Sequence, residues 1–138
     1  MNVTFPYQPG EGGTARPIVA LKLGDPLGLR GIDVTARVDT GFDGGVLLPL
    51  ETYLRLGLQE FEESSDLVGR TAQGTAVKLR ESRGVVTLQG EQFASRVFTT
   101  PLLLKPLLGL DLLKHWRAIF DGPSGELLVE SAPTRKRS

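Results

Sequence analysis

The stretch Ala36-Arg37-Val38-Asp39-Thr40-Gly41-Phe42-Asp43-Gly44 delivers an acid from an alternating apolar segment and follows it with glycine. A carboxylate carried by a strand into a sharp turn is held rigidly, as a positioned acid–base group must be. Gly41 tolerates backbone angles closed to other residues and leaves an amide free to approach the carboxylate. Thr40 supplies a hydroxyl able to bond across a tight interface and a methyl to fill the space beside it. By average composition this tripeptide arises by chance in roughly 3 % of chains of this length. Asp and Gly also favour ordinary turns, so the motif needs a second signal.

That signal is Pro106-Leu107-Leu108-Gly109-Leu110-Asp111-Leu112-Leu113, an apolar strand, a glycine and then a short amphipathic helix. Alone it reads as a plain strand-to-helix junction with a core-facing leucine cluster. The elements that must position both segments are mostly strands. Residues 18–23 form one, and Gly24-Asp25-Pro26 supplies turn chemistry. Residues 29–38 form the next, with Ile32, Val34, Ala36 and Val38 at period two, running directly into Asp39. Residues 46–48 are a short apolar strand, and 49–56 have room for one or two helical turns. A hairpin is expected over 66–82 with its tip near Gln73-Gly74, and a second over 84–99 around Gln89-Gly90. Asp111 is a candidate N-cap for a late helix reaching Trp116. Residues 118–120 then turn through 121–125 into a closing strand at 127–129. Many short strands with one late helix predict an all-β closed barrel or sandwich.

The chain has 138 residues, enough for one domain with a sizeable core. It has no cysteine and one histidine, which excludes disulfides and a thiol nucleophile and argues against a zinc site. Lys plus Arg and Asp plus Glu number 16 each, a balance without the footprint of a nucleic-acid or anionic-membrane binder. The start lacks the basic-then-apolar order of a secretory signal. The longest apolar run, 102–113, is broken by Lys105, Pro106 and Asp111 and is too short to span a bilayer. A soluble, cytoplasmic protein is the expectation. Residues 1–16, rich in Pro and Gly, are expected as a flexible arm, 17–131 as the domain, and 132–138 as a basic tail. That tail, with Arg135, Lys136 and Arg137, reads either as a solvated end or as a docking signal. A Ser-His-Asp hydrolase would depend on His115 alone, placed between Lys114 and Trp116 where a solvated or capping role fits better. Gly10 to Gly13 is not followed by the Lys-Ser/Thr of a phosphate loop. Trp116, Phe120 and Phe98 are assigned to the core or to an interface.

Motif, order and spacing together resemble the retropepsin-like aspartic proteases, single-lobe relatives of the pepsin family. The matching residues are Val38 to Gly41, the hairpin around 69–76, Leu107-Leu108-Gly109, the helix from Asp111 and the closing strands at 118–130. The resemblance spans roughly residues 18–130, nearly the whole predicted domain. It implies a β-dominated closed barrel of the retropepsin-like acid protease type and a homodimer in which Asp39 of each copy meets across a two-fold axis. The implied activity is peptide-bond hydrolysis by an aspartic endopeptidase, without cofactor or metal. Thr40 and Gly41 are implied to support the active site. Phe42, Asp43 and the flap residues Gly69, Arg70, Thr71 and Ala72 are implied to contact a peptide or protein substrate. Asp43 reads equally well as a turn stabiliser beside Gly44-Gly45.

Three departures stand out. Phe42 replaces a small residue, where it narrows the cleft or meets the partner; the flap lacks clustered glycines; and Leu110 stands where viral enzymes often place arginine. A chain with one Asp-Thr-Gly and no second copy needs a partner for a two-carboxylate mechanism. The alternative is a non-catalytic dimeric peptide-binding module on the same fold, because fold alone does not fix function.

Overall fold

Period-two burial organises most of the chain. The computed structural model describes residues 1–65, 67–70, 73–101 and 105–132. Strand β1 (Asn2–Pro6) is followed by a minor hairpin, β2 (Gln8–Pro9) with β3 (Ala15–Arg16). Strands β4 (Ile18–Gly24) and β5 (Gly31–Val38) pair antiparallel from Ile18 opposite Arg37 to Gly24 opposite Gly31. Val19, Leu21 and Leu23 from the first, with Val34 and Ala36 from the second, alternate into the core. Asp25 ties their connection by accepting the Leu27 amide at 2.8 Å, the Leu29 amide at 3.2 Å and the Arg30 amide at 2.5 Å. Burial pushes that carboxyl up, and the three amides outweigh it, leaving it below the ordinary carboxylate range.

Strand β6 (Val46–Pro49) is apolar throughout because neighbours cover both faces. Helix α1 (Leu50–Arg55) and a 3-10 turn (Leu58–Phe61) follow, burying Tyr53 and Leu58. Strands β7 (Val68–Arg70) and β8 (Ala76–Lys78) form a two-stranded hairpin. Strands β9 (Arg80–Leu88) and β10 (Glu91–Thr100) form the long hairpin. Its turn has Gln89 at φ 50° and Gly90 at φ 80°, the left-handed pair that matches strand twist. After β11 (Leu107–Leu108) and helix α2 (Leu110–Leu113), strands β12 (Trp116–Asp121) and β13 (Glu126–Ser131) close the fold. Strands β10, β6, β11, β5, β4 and β9 make a closed barrel, and β1, β13 and β12 a separate three-stranded sheet.

Three expectations are corrected. Residues 2–6 do not stand off as an arm; they pair with β13 from Asn2 opposite Glu130 to Pro6 opposite Glu126. The reason is alternation, for Val3 and Phe5 pack against the main core. Helix α2 is capped by Gly109, not Asp111, and ends at Leu113; Trp116 opens β12. Of the three aromatics assigned to the core or an interface, Trp116 and Phe98 are buried and Phe120 is exposed. The segment 80–82, read with the first hairpin, belongs to barrel strand β9. Asp66 and the basic residues 135–137 lie outside the described residues, as does 102–104 of the apolar run. Among the described residues, no helix is long and apolar enough to cross a membrane.

Candidate active site

Strand β5 turns Val34, Ala36 and Val38 toward the main core. Alternation therefore sends Asp33, Thr35, Arg37 and the following Asp39 to the opposite face. Asp39 is half-buried at the strand end, with Thr40 and Gly41 exposed at the rim. Its amide donates to the Leu108 carbonyl at 2.8 Å, and its own carbonyl accepts the Phe42 amide at 3.1 Å. The Gly41 amide donates to Asp39 Oδ1 at 2.9 Å. A backbone donor thus fixes the carboxylate rotamer. Gly41 does not use the left-handed region expected of it. Its requirement is space, because a Cβ there would lie 3.2 Å from the carboxylate oxygen.

Strand β11 clamps the turn from both sides. It runs parallel to β5, Leu107 opposite Arg37 and Leu108 opposite Val38, and antiparallel to β6, Leu107 opposite Leu47 and Leu108 opposite Val46. The strand entering the turn and the strand leaving it are therefore joined through one two-residue segment. The next residues extend the clamp, Gly109 donating to the Gly45 carbonyl at 2.8 Å, Leu110 to Phe42 at 2.9 Å and Asp111 to Gly44 at 3.1 Å. A Cβ on Gly109 would collide with the Gly44 and Phe42 carbonyl oxygens and with the Phe42 ring. Only glycine allows this approach.

The Asp111 side chain pins α2 instead of capping it. Lys114 Nζ donates to Asp111 Oδ1 at 2.8 Å and holds the carboxyl below its ordinary range, against partial burial. Arg96 on β10 reaches the other oxygen at 3.5 Å and adds to the lowering.

Phe42 does not stand free in a cleft. It is half-buried and meets Phe98 edge to face, with ring centroids 5.8 Å apart. Both belong to a second, smaller core of Leu47, Leu79 and Phe98, against which Phe42, Leu67 and Leu107 pack. The same cluster seats the β7–β8 hairpin, since Leu79 donates to the Leu67 carbonyl at 3.2 Å beneath it. Within that hairpin Gly69 lies opposite Val77 and Arg70 opposite Ala76. Thr71 and Ala72 lie outside the described residues. Asp43 is exposed, and among the described residues its carboxylate takes no hydrogen bond from the turn amides. Its carboxylate stands at the rim of the turn.

The fold thus brings together Asp39, Thr40, Gly41 and Asp43 on one turn. Gly69 and Arg70 lie on the hairpin whose base, through Leu67 and Leu79, shares the small core with Phe42. His115 stands elsewhere, its ring against Phe93 with centroids 5.2 Å apart. No group of three or more potential metal ligands occurs among the described residues. Sequence reasoning passed over Arg37, although the period-two signal that placed Val38 inward also places Arg37 on the face of Asp39.

No protein-family model matches the chain, and no curated protein does. Solved structures do. A retropepsin-like aspartic protease from Rickettsia conorii aligns with a TM-score of 0.63 at 18% identity, covering 94% of this chain and 91% of that one. The protease of EIAV, in complex with the inhibitor HBY-793, aligns at 0.53 and 19% identity, covering 72% of this chain and 86% of that one. At these identities the likeness assigns the fold, which is retropepsin-like, with the closed barrel and short late helix expected from the sequence.

Proposed function

From a retropepsin-like fold with one Asp-Thr-Gly turn per chain, we propose that the protein is an aspartic endopeptidase active as a homodimer. The observation that carries the reading is the Asp39 turn itself. A carboxylate stands at the end of a barrel strand, oriented by the Gly41 amide and clamped by β11 and Gly109 from the far side. In the proposed dimer, Asp39 and its symmetry copy lie close enough to share one proton, because two carboxylates about 3 Å apart do not both ionise easily. The ionised member takes a proton from a water held between them, and that water attacks the scissile carbonyl. The protonated member donates a hydrogen bond to the carbonyl oxygen and stabilises the developing charge. Thr40 bonds across the two-fold axis. Asp43 and the hairpin residues Gly69, Arg70, Thr71 and Ala72 hold substrate backbone and side chains. Phe42 supports the turn from beneath and contacts substrate only at its exposed edge. No metal or cofactor takes part.

The test is cleavage of a diverse peptide pool from about pH 4 to 7.5, read by mass spectrometry, for wild type and Asp39→Asn. Cuts by wild type alone, with activity per molecule falling on dilution, are the expected result. Equal cutting by both proteins overturns the role of Asp39, and constant specific activity at every dilution overturns the dimer. Peptide bound by wild type but never cut means a binding module instead.

A further inference from the structure

Arg37 lies beside Asp39, and the proposed reaction does not use its chemistry. It lies two positions before Asp39 on β5 and on the same face, because Val38 between them packs into the main core. At about 3.3 Å per residue, its Cα is roughly 7 Å from that of Asp39. A guanidinium on a stem of this length reaches one side-chain position along an extended peptide crossing the carboxylate. Its register neighbours are apolar on both sides, Ile18 on β4 and Leu107 on β11. Side chains at register positions share a face, so across the sheet the guanidinium stem is flanked by hydrocarbon, and the nearest acid along its own strand face is Asp39 itself.

Arg37 is half-buried, yet no acid among the described residues forms an ion pair with it. Elsewhere the acids near arginines are taken: Glu62 by Arg80 at 2.6 Å, Glu63 by Arg83 at 2.7 Å, and Asp111 by Arg96 and Lys114. A partly desolvated, permanently charged group with neither a partner nor full hydration is stabilised most by an incoming anion. The carboxylate fork of Glu or Asp is the geometric match.

Building on the peptidase reading, we infer that Arg37 is a specificity-determining residue that selects an acidic side chain immediately next to the scissile bond. In a symmetric dimer each copy supplies one Arg37, so the acid is accepted on either side of the cut. The apolar flanks lower the local dielectric and strengthen the pairing over what a surface arginine would give. Selection falls on the carboxylate charge and not on side-chain length, because the uncharged isostere offers the same bulk without the counter-charge.

The test compares matched peptides that differ only by Glu or Gln beside the cut, each scored by kcat/KM with wild type. A preference for Glu of about tenfold or more is expected from a charge-assisted hydrogen bond in a partly apolar setting. Arg37→Gln is expected to bring the ratio close to one, and Arg37→Glu to turn it toward a Lys peptide. Equal cutting of the Glu and Gln peptides by wild type overturns the inference without any need for a variant. So does a Glu preference that survives in a folded Arg37→Gln protein. A parallel binding measurement, fluorescence anisotropy of both labelled peptides on Asp39→Asn, separates this idea from the reading it rests on. Selective binding of the Glu peptide with no cleavage by wild type supports the role of Arg37 while the peptidase reading fails. Cleavage with no selectivity in either assay leaves the peptidase and overturns Arg37.

Discussion

Replacing Gly109 by alanine adds one methyl group at the point where the late helix meets the Asp39 turn. The added Cβ would fall within contact-forbidden range of two carbonyl oxygens, those of Gly44 and Phe42, and of the Phe42 ring. Neither carbonyl is free to move, since each accepts an amide from the residues after Gly109, at 2.9 and 3.1 Å. Overpacking of this kind costs about 1–3 kcal/mol. Relief by withdrawing the helix start weakens three backbone hydrogen bonds, each worth about 0.5–1.5 kcal/mol. Since strain and hydrogen-bond loss trade against each other, the expected destabilisation is about 2–4 kcal/mol. For a chain of this size that is a fall in melting temperature of roughly 6–12 °C. The assay is thermal unfolding by circular dichroism, with Gly122→Ala as the control. A Cβ on Gly122 meets nothing within 4 Å, so that variant should melt within about 1 °C of wild type. If Gly109→Ala melts alongside Gly122→Ala, the clamp on the Asp39 turn is not what the geometry says, and the argument for a rigidly held carboxylate falls with it.

Phe98→Ala empties the centre of the small core that joins Phe42 to the base of the β7–β8 hairpin. It should cost about 3–5 kcal/mol in urea unfolding, and a loss under about 1 kcal/mol would mean the two parts are not coupled through it. Asp111→Asn tests the ion pairs that fasten α2. The folded carboxyl is held below its unfolded value, so its stabilisation is present above about pH 5 and is lost as pH falls through the unfolded value near 3.9 to the lower folded one. Wild type should therefore exceed the variant by roughly 0.2–1 kcal/mol at pH 7, because Lys114 is largely exposed, and converge with it near pH 2–3. A gap that does not change with pH would assign the effect to packing instead.

Much of the barrel is legible because strands announce themselves locally. Alternation in β5 places Val34 and Ala36, the Gln89-Gly90 turn fixes the long hairpin, and Leu107-Leu108-Gly109 marks the segment that completes the barrel. What escaped depends on partners distant in sequence. Strand β1 carries only two inward residues, Val3 and Phe5, and the Pro- and Gly-rich stretch behind them reads as an arm until β13 arrives to pair with it. Asp111 has the right chemistry for a cap, but the tight approach of Gly109 to the turn sets the cap two residues earlier. Phe42 reads from the sequence as narrowing the cleft or meeting a partner. Nothing beside it in sequence reveals that Phe98 from β10 meets its ring and turns it into support.

These long-range contacts bear directly on how a half-site is built. The Gly41 amide, the Leu108 carbonyl and the Gly109 clamp that orient Asp39 all come from its own chain. The turn is therefore preorganised before any partner arrives, and the proposed pairing would not have to order it. The β7–β8 hairpin differs. It is a two-stranded sheet of three-residue strands, seated chiefly through Leu67 and Leu79, and an isolated ribbon of that size is marginal in water. Under the peptidase proposal, substrate contacts would do the most work in ordering this hairpin. Arg37 is set on the rigid side of that division, on a barrel strand between two paired neighbours. A selector placed there discriminates by charge against a fixed geometry, whereas one on the hairpin would adapt to whatever peptide it closed upon.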